Sequence, residues 1–255
     1  MVAIISPEWP APSGVLAFTT TRTGGYSTEP YKSFNLAQHV GDDAEAVTSN
    51  RDTMAQWLPG GVSVQWLNQV HGVAVARAPA PQGVTADAVW TDQPGVALAV
   101  LTADCLPILF CTRDGHHIAA IHAGWRGLAA GVIEATLHSM PGSPEDLLAW
   151  LGPAIGPQAF EVGPEVRRAF VDAALYAASE LPDYAFLPSP TRAGHYLADI
   201  YALGRHRLQS AGVAHIYGGG HCTVTERESF FSYRRDGETG RMASLICIKP
   251  VQSHS

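Results

Sequence analysis

The feature that most constrains this chain is a nearly unbroken apolar run, VALAVLTADCLPILFCT, at residues 96–112. Continuous apolar character without polar alternation is typical of strands that are buried on both faces. The following segment, HHIAAIHAGW, is also largely apolar, and Arg113-Asp114-Gly115 between the two has the chemistry of a tight turn. The sequence therefore predicts a buried β-hairpin at the centre of the fold.

This hairpin brings two reactive side chains together, those of Cys105 and His122. If Arg113 and Asp114 occupy the centre of the turn, Cys105 lies directly opposite His122. If Asp114 and Gly115 occupy it, the two residues are diagonal neighbours. In either register their Cβ atoms lie about 5–8 Å apart. One metal ion or one hydrogen bond can span that distance.

Length and composition limit the class of protein. The 255 residues are 46% hydrophobic and 15% charged, which is typical of a globular chain and favours one domain over residues 1–255. The formal charge of -7 argues against a nucleic-acid or anionic-membrane binder, because such proteins need a basic surface. We find no secretion signal and no apolar run long enough to span a bilayer. We therefore expect a cytoplasmic protein with four reduced cysteines.

The rest of the chain contains predicted strands and helices in irregular alternation. The segment LAFTTTRTGGYS predicts a strand that ends at Gly24-Gly25. Helices are predicted at residues 44–58 with Asp42 and Asp43 as caps, at 128–139, from Pro164 onward and at 197–210; strands are predicted at 214–217, 229–233 and 242–248. The order lacks the regular βαβ repeat of a doubly wound fold. The predicted fold class is therefore α+β, with mixed β-sheets sandwiched by helices in a single domain.

Three residues, each close to a turn-forming residue, are candidate metal ligands: His71 in NQVHG, Cys105 in TADC and His122 in HAGWRG. Two imidazoles and one thiolate suit zinc, and catalytic zinc sites keep a fourth position open for water or substrate. Two alternatives stay open at this point. Each residue alone also fits a structural role, and a cysteine beside a histidine also fits a nucleophile with its general base. In that second case Asp104 or Asn68 would orient the base.

Several arginines are candidates for binding an anion. Arg126 follows Gly124 at a predicted helix start, where free backbone amides favour negative charge. Arg22 in TRTGG and Arg51 in the first predicted helix are further candidates, as is Arg234, beside Tyr233. A solvated surface position is the alternative for each of them. Aromatic residues that could stack on a planar ring, if they are not core residues, are Trp66, Trp125, Phe230, Phe231 and Tyr233.

The chain carries a set of motifs that resembles the laccase-domain family, also called the bacterial polyphenol-oxidase family, which is linked with purine nucleoside phosphorylase activity. The motifs are TRTGGYS, FNLAQHVGDD, NQVHG, TADCLPILF, HAGWRG, LGPAIGP and FFSYRRDGETGRMAS. The resemblance covers nearly the whole chain. It implies an α+β domain similar to the deamidating-toxin-like cysteine hydrolase fold, with zinc bound by His71, Cys105 and His122.

The resemblance also implies an activity: phosphorolysis of adenosine, inosine and methylthioadenosine, with adenosine deamination as a side activity. For deamination or amide hydrolysis, zinc would activate a water molecule, with Asp104 or Glu161 as proton carriers. The alternatives are copper-dependent polyphenol oxidation at the same site, and an amidase that acts on peptidoglycan precursors. We predict the zinc-dependent phosphorylase, with a purine nucleoside and phosphate as its only partners, as a monomer or weak homodimer. The predicted catalytic residues are His71, Asp104, Cys105 and His122; the predicted substrate-binding residues are Arg22, Arg51, Arg126, Tyr233 and Arg234.

Overall fold

The computed structural model describes residues 4–176 and 180–250. The strands are β1 (Ile4–Ile5), β2 (Val15–Thr20), β3 (Ser63–Gln65), β4 (Leu67–Asn68), β5 (Val75–Arg77), β6 (Val84–Thr85), β7 (Ala88–Thr91), β8 (Val96–Thr102), β9 (Leu106–Thr112), β10 (Ile118–Ala123), β11 (Leu147–Leu151), β12 (Glu161–Val162), β13 (Phe186–Pro188), β14 (Tyr196–Ala198), β15 (His215–Gly218) and β16 (Met242–Ile248). The α-helices are α1 (Ala44–Ala55), α2 (Trp125–Ala130), α3 (Val132–Ser139), α4 (Pro164–Tyr176), α5 (Ile200–Ser210) and α6 (Tyr233–Asp236). Short 3-10 helices span Pro144–Asp146 and Asp183–Ala185.

The predicted hairpin is present as β9 and β10, at the centre of a six-stranded sheet with the order β15-β11-β9-β10-β7-β5. Ile118 pairs with Cys111 and His122 pairs with Pro107. This register centres the turn on Asp114 and Gly115, the second of the two predicted alternatives. Cys105 precedes β9 directly and is therefore a diagonal neighbour of His122.

The apolar run 96–112 forms two strands that belong to different sheets. β8 lies in a five-stranded sheet with the order β1-β2-β16-β8-β3, whereas β9 lies in the six-stranded sheet. All seven residues of each strand are buried, as expected for the interior of two stacked sheets. Leu98 and Ile246 of one sheet share a core cluster with Leu109 and Ala120 of the other. The corner between β8 and β9 holds Asp104 and Cys105.

Helices cover the outer faces of both sheets. Met54 of α1 joins Phe18 and Leu245 of the five-stranded sheet in one cluster. Leu128 of α2 joins Phe110 of the six-stranded sheet in another, together with apolar residues of α3, α4 and α5. The α+β class with mixed sheets sandwiched by helices is confirmed. Within the described part of the chain, each helix is too short or too polar to cross a bilayer.

Several predicted elements need correction. The helix predicted at 128–139 is two helices, because Gly131 between them adopts a left-handed φ of 100°. The strand predicted at 229–233 does not form: Phe230 and Phe231 are fully buried, and α6 follows. These two rings fill a small core cluster, so their burial comes from packing and not from a sheet. The helix predicted at 197–210 begins later, at Ile200, where Asp199 caps α5.

Other elements begin where they were predicted, although α1 ends at Ala55 and not at residue 58. α4 begins at Pro164 and β16 spans Met242–Ile248. α1 begins at Ala44, where Asp43 accepts a hydrogen bond from the amide of Ala46. A side-chain oxygen at this position satisfies one of the free amides of the first helical turn.

Candidate metal centre and its cavity

The three predicted ligands meet at one point. The Nε2 atom of His71 lies 3.8 Å from the Sγ atom of Cys105. The rings of His71 and His122 stand edge to face with their centroids 4.7 Å apart. One nitrogen of each histidine and the Cys105 sulfur lie within 4.8 Å of one another. A loop, the β8–β9 corner and β10 supply one ligand each.

The spacing and chemistry of this group fit zinc. Ligands about 2.0–2.3 Å from a tetrahedral zinc ion lie roughly 3.6 Å from each other, close to the separation of 3.8 Å between His71 and Cys105. No fourth His, Cys, Asp or Glu among the described residues joins the group, so one coordination position remains for water or substrate. Copper also binds imidazole and thiolate ligands. The geometry therefore supports a metal site without identifying the ion.

Asp87 holds two of the ligands in place, and sequence analysis missed it. Its Oδ1 atom lies 2.8 Å from Nδ1 of His122 and accepts the amide hydrogen of His71 at 2.8 Å. Its Oδ2 atom accepts the amide hydrogens of Val70 and Gly72. Because Nδ1 of His122 faces this fully buried carboxylate, Nε2 is the nitrogen left for a metal ion. Carboxylate–histidine pairs of this kind orient metal ligands.

The orienting role predicted for Asn68 belongs instead to Asp87. The amide of Asn68 donates to the Thr85 hydroxyl at 3.1 Å, away from the imidazoles. Asp87 precedes β7 in the segment DAVWT, and an acidic residue at a buried strand start was the one available signal. A buried carboxylate needs partners, but the sequence does not indicate which residues those are.

Asp104 fixes the backbone that carries Cys105. Its carboxylate accepts a hydrogen bond from the Thr223 hydroxyl at 2.6 Å and one from the amide of Arg234 at 2.6 Å. Its carbonyl accepts the amide hydrogen of Ile155. These bonds hold Asp104 at a φ of 87°, in the left-handed region, where a residue other than glycine is strained. Strain of this kind persists where surrounding contacts define a functional geometry.

The electrostatic environment favours the metal-binding form of Cys105. Burial alone would raise the pKa of this thiol, but the neighbouring imidazoles of His122 and His71 lower it to about 6. Burial alone would lower the pKa of His122, but the charges of Cys105 and Asp87 raise it to about 9. Asp87 has a pKa below its usual value, because the bonds from His122 and from the backbone outweigh its burial. The thiolate is the form that binds a metal ion.

Gly124 is packed against all three ligands. A Cβ atom at this position would lie 2.8 Å from Cδ2 of His71, 3.1 Å from Sγ of Cys105 and 3.6 Å from Cε1 of His122. The first two distances are shorter than normal contacts between such atoms. Only glycine therefore fits between the ligands and the start of α2.

A cavity of about 540 Å³ opens beside the metal ligands. Its apolar lining includes Ile155, Phe160, Val162, Val166 and Ile200. Its polar lining includes His39, Gln69, Thr102, Asp104, Glu161 and Arg241. The volume lies in the range that small-molecule sites of proteins occupy. The metal ligands thus face a chamber large enough for a compact organic substrate.

The predicted substrate-binding residues divide between this cavity and other places. Arg126, Tyr233 and Arg234 line the cavity. Arg22 lines a separate cleft, where its guanidinium donates to the carbonyls of Lys32 and Arg227. Arg51 lies outside the cavity lining and stacks on the Trp66 ring with its guanidinium carbon 4.0 Å from the ring centre.

Phe160 and Glu161 are adjacent residues of the cavity lining. The Glu161 carboxylate accepts hydrogen bonds from the hydroxyls of Ser189 and Thr191, which lower its pKa. The Arg234 guanidinium lies 5.5 Å above the Phe160 ring and donates to the carbonyl of Glu161. Sequence analysis missed Phe160 and Arg241, because neither stands in a pattern that separates a lining residue from a core residue.

Comparison with known proteins gives consistent results. Residues 16–249 match the sequence model of the family described as multi-copper polyphenol oxidoreductase laccase. A Pseudomonas aeruginosa protein named purine nucleoside phosphorylase is 52% identical over 249 residues, which are 98% of this chain and 100% of that protein. The Escherichia coli purine nucleoside phosphorylase YfiH is 50% identical and covers 97% of this chain over its own full length.

Solved structures have the same fold. The crystal structure of a Neisseria meningitidis protein is 48% identical, with a TM-score of 0.89 over 97% of this chain and 99% of that chain. The crystal structure of YlmD from Geobacillus stearothermophilus is 35% identical, with a TM-score of 0.81 over 94% of each chain. These matches are consistent with the two stacked sheets and covering helices described above.

Proposed function

Because this chain belongs to the multi-copper polyphenol oxidoreductase laccase family, which its sequence matches over residues 16–249, we propose that it is a zinc-dependent purine nucleoside phosphorylase. The substrates would be adenosine, inosine and methylthioadenosine. The observation that carries the proposal is the His71, Cys105 and His122 group, with one coordination position free, beside a cavity of about 540 Å³. Relatives at about half identity bear the name purine nucleoside phosphorylase.

The cavity suits a nucleoside, because it combines an apolar part with a polar part. The apolar side chains of Ile155, Phe160 and Val166 offer a surface for a planar base. The metal ligands and Asp104 stand at the polar part, where the ribose would lie. Tyr233 and Arg234 complete the lining near Phe160, and Arg126 adds a positive charge. We assign these three residues to substrate binding.

In phosphorolysis the bond between C1′ of the ribose and N9 of the purine breaks, and its electron pair stays on the base. An oxygen of hydrogen phosphate forms the new bond to C1′, and the phosphate proton passes to the base. A zinc ion held by His71, Cys105 and His122 would act as a Lewis acid toward a bound oxygen atom. Asp104 positions Cys105, and Asp87 positions His71 and His122. The apolar lining excludes water, which favours phosphate over water as the nucleophile.

Two further activities are proposed for the same site. Adenosine deamination would be a side reaction, in which water adds to C6 of the purine, the bond from C6 to the amino nitrogen breaks, and ammonia leaves with inosine as the product. Phenol oxidation requires a redox metal, and copper binds nitrogen and sulfur ligands more tightly than zinc does. The name of the matching family, which refers to polyphenol oxidation, favours this copper-dependent activity as the second candidate function.

The test measures free base released from inosine by chromatography, with and without phosphate, for zinc-loaded wild type and Cys105→Ala. We expect phosphate-dependent release of hypoxanthine, falling by at least about 100-fold in the variant together with its zinc content. Cys222→Ser is the matched control, because Cys222 is also half-buried but lies outside the metal group. Hypoxanthine release without phosphate, or unchanged release by Cys105→Ala, would contradict the proposal. No release at all would favour the amidase alternative.

A further inference from the structure

Three basic side chains lie near one another at the side of the cavity where the Arg241 guanidinium stacks on the Tyr233 ring, 6.0 Å from its centre. His39 and Arg241 line the cavity, and Arg51 lies outside its lining. The backbone of Leu36 links the two arginines: its carbonyl accepts a hydrogen bond from Nε of Arg51 at 2.9 Å, and its amide donates to the carbonyl of Arg241 at 3.3 Å. We call His39, Arg51 and Arg241 the cation cluster.

The two arginines of this cluster are not paired directly with a carboxylate, although the charges of Cys105 and Asp104 act on Arg241 from a longer distance. Among the described residues, neither Arg51 nor Arg241 forms an ion pair with a carboxylate. Arg241 uses Nη1 to bond the carbonyls of Thr239 and Gly240, which fixes its orientation. Arg51 is held by the Trp66 ring, 4.0 Å away. A partly buried guanidinium group without a directly paired carboxylate is unfavourable, so the arrangement leaves a place for a bound anion.

The charges of this cluster act on one another. Burial lowers the pKa of Arg51 to about 10. Burial, and then the charges of Arg241 and Arg51, lower the pKa of His39. Burial also lowers the pKa of Arg241, although the charges of Cys105 and Asp104 oppose this effect. Arg241 is therefore close to the β8–β9 corner that carries the metal ligand. An anion bound here would lie beside the metal.

An independent observation comes from Thr102. This residue is 1% exposed, lines the same cavity, and has a hydroxyl with no hydrogen-bond partner among the described residues. It pairs with Met242, which follows Arg241 directly. Buried hydroxyls without partners are rare in proteins, because the lost hydrogen bond is costly. A ligand oxygen beside Arg241 would provide the missing partner.

We propose that the cation cluster and Thr102 form an oxyanion subsite that binds inorganic phosphate, the co-substrate, next to the metal-ligand group. The inference rests on the proposed phosphorylase function and adds the position of the nucleophile. Guanidinium groups bind phosphate oxygens with two parallel hydrogen bonds, and the two arginine charges match the charge of a dianion. After the reaction, the same groups hold the phosphate of the ribose 1-phosphate product.

The position agrees with the chemistry of the reaction. Phosphate must approach C1′ from the side opposite the departing purine, because the breaking and forming bonds lie roughly in line. The apolar lining at Phe160 and Val166 accepts the base, whereas Arg241 lies between the Tyr233 ring and the β8–β9 corner that carries Asp104 and Cys105. The two substrates would therefore occupy different parts of the cavity, with the ribose between them.

The first experiment compares Arg51→Gln and Arg241→Gln with wild type, all zinc-loaded. The KM for phosphate should rise at least about 10-fold in Arg241→Gln, which loses a charge-assisted hydrogen bond to phosphate, and by a smaller factor in Arg51→Gln, which loses a positive charge outside the cavity lining. The KM for inosine should change less than about two-fold and the zinc content should stay the same. Arg77→Gln is the matched control, because Arg77 also stacks on a tryptophan but pairs with Asp92 at the surface. An unchanged KM for phosphate in both cluster variants would overturn the proposal.

Thr102→Val provides a test that separates binding from folding. Valine keeps the shape of threonine and removes a hydroxyl that has no partner in the protein, so the Tm should stay constant or rise. The KM for phosphate should rise several-fold, because the hydrogen bond to the ligand is lost. A lower Tm with an unchanged KM would assign the hydroxyl to the fold and contradict its role in the subsite.

Direct binding distinguishes failure of the subsite from failure of the proposed function. Calorimetry with inorganic phosphate alone should give binding to wild type and at least about 10-fold weaker binding to Arg241→Gln. If phosphate binds in this way but no hypoxanthine is released from inosine, the phosphorylase function fails while the subsite stands. If inosine 5′-monophosphate binds and inorganic phosphate does not compete with it, the subsite serves a phosphate ester, and the co-substrate assignment is wrong.

Discussion

The cavity has two walls that are built in opposite ways. The ligand wall consists of His71 on a loop, Cys105 at the β8–β9 corner, His122 on β10, Asp87 directly before β7, and Gly124, which packs against the three ligands. The second wall consists of residues 155–166 together with Tyr233 and Arg234. Exposure does not separate the walls, because His71 is exposed and His122 buried on the first, and Tyr233 is exposed and Phe160 buried on the second. Hydrogen bonds to a buried carboxylate fix the first, whereas loops and short elements form much of the second.

This difference indicates that the ligand wall serves metal binding and the second wall serves substrate binding. A rigid sheet positions metal ligands accurately, because every strand is held by its neighbours. Loops and short elements can vary without loss of the fold, and they commonly carry specificity. We therefore expect substitutions on the ligand wall to affect metal content first, and substitutions on the second wall to affect substrate binding alone. Three substitutions test this contrast.

The largest effect is expected for Gly124→Ala on the ligand wall. The new methyl group would lie 2.8 Å from His71 and 3.1 Å from Cys105, so both ligands must move. The zinc content should fall from one ion per chain to below about 0.1, and phosphorolysis should fall by at least about 100-fold. Mass spectrometry of the metal and the inosine assay measure these changes. Gly60→Ala is the control, because a Cβ atom there meets nothing within 4 Å. Full zinc content in Gly124→Ala would break the comparison.

A smaller effect is expected for Asp87→Asn. The amide keeps the shape of the carboxylate but loses the charge that orients His122. Its NH2 group cannot accept the backbone hydrogen bonds that one of the carboxylate oxygens accepts in wild type. Zinc affinity should fall about 10- to 100-fold, as measured by competition with a chelator. Asp92→Asn, which removes an exposed carboxylate paired with Arg77, should leave the affinity unchanged. Equal affinities of Asp87→Asn and wild type would show that the ligands hold their positions without it.

The smallest effect is expected for Phe160→Leu on the second wall. Leucine keeps the wall apolar but removes the ring on which a purine can stack, so the KM for inosine should rise roughly 10-fold. The zinc content should not change, because Phe160 does not contact the ligands. Tyr184→Leu is the control, since Tyr184 is an exposed aromatic residue outside the cavity lining. A loss of zinc in Phe160→Leu would mean that the two walls are not independent.

Local patterns were sufficient for part of the fold and part of the site. Turn chemistry at Arg113-Asp114-Gly115 predicted the hairpin and restricted its register to two alternatives. Pro164 marked a helix start, and the apolar segment 242–248 marked a strand. The same patterns wrongly predicted a strand at 229–233, because two adjacent phenylalanines give the same sequence signal in a strand and in a core cluster. Periodicity reports which residues are buried and does not report what buries them.

By itself, the sequence determined the α+β class, the central hairpin and the three metal-ligand residue types, because these depend on local chain chemistry and on short-range pairing. Only the tertiary structure decided that the run 96–112 divides between two sheets, that Asp87 orients His122, and that Gly124 makes room for the ligands. It also decided that Arg22 belongs to a separate cleft while Arg241 lines the cavity. The physical reason is that hydrogen bonds and close contacts between residues far apart in the chain depend on packing, which no local pattern encodes.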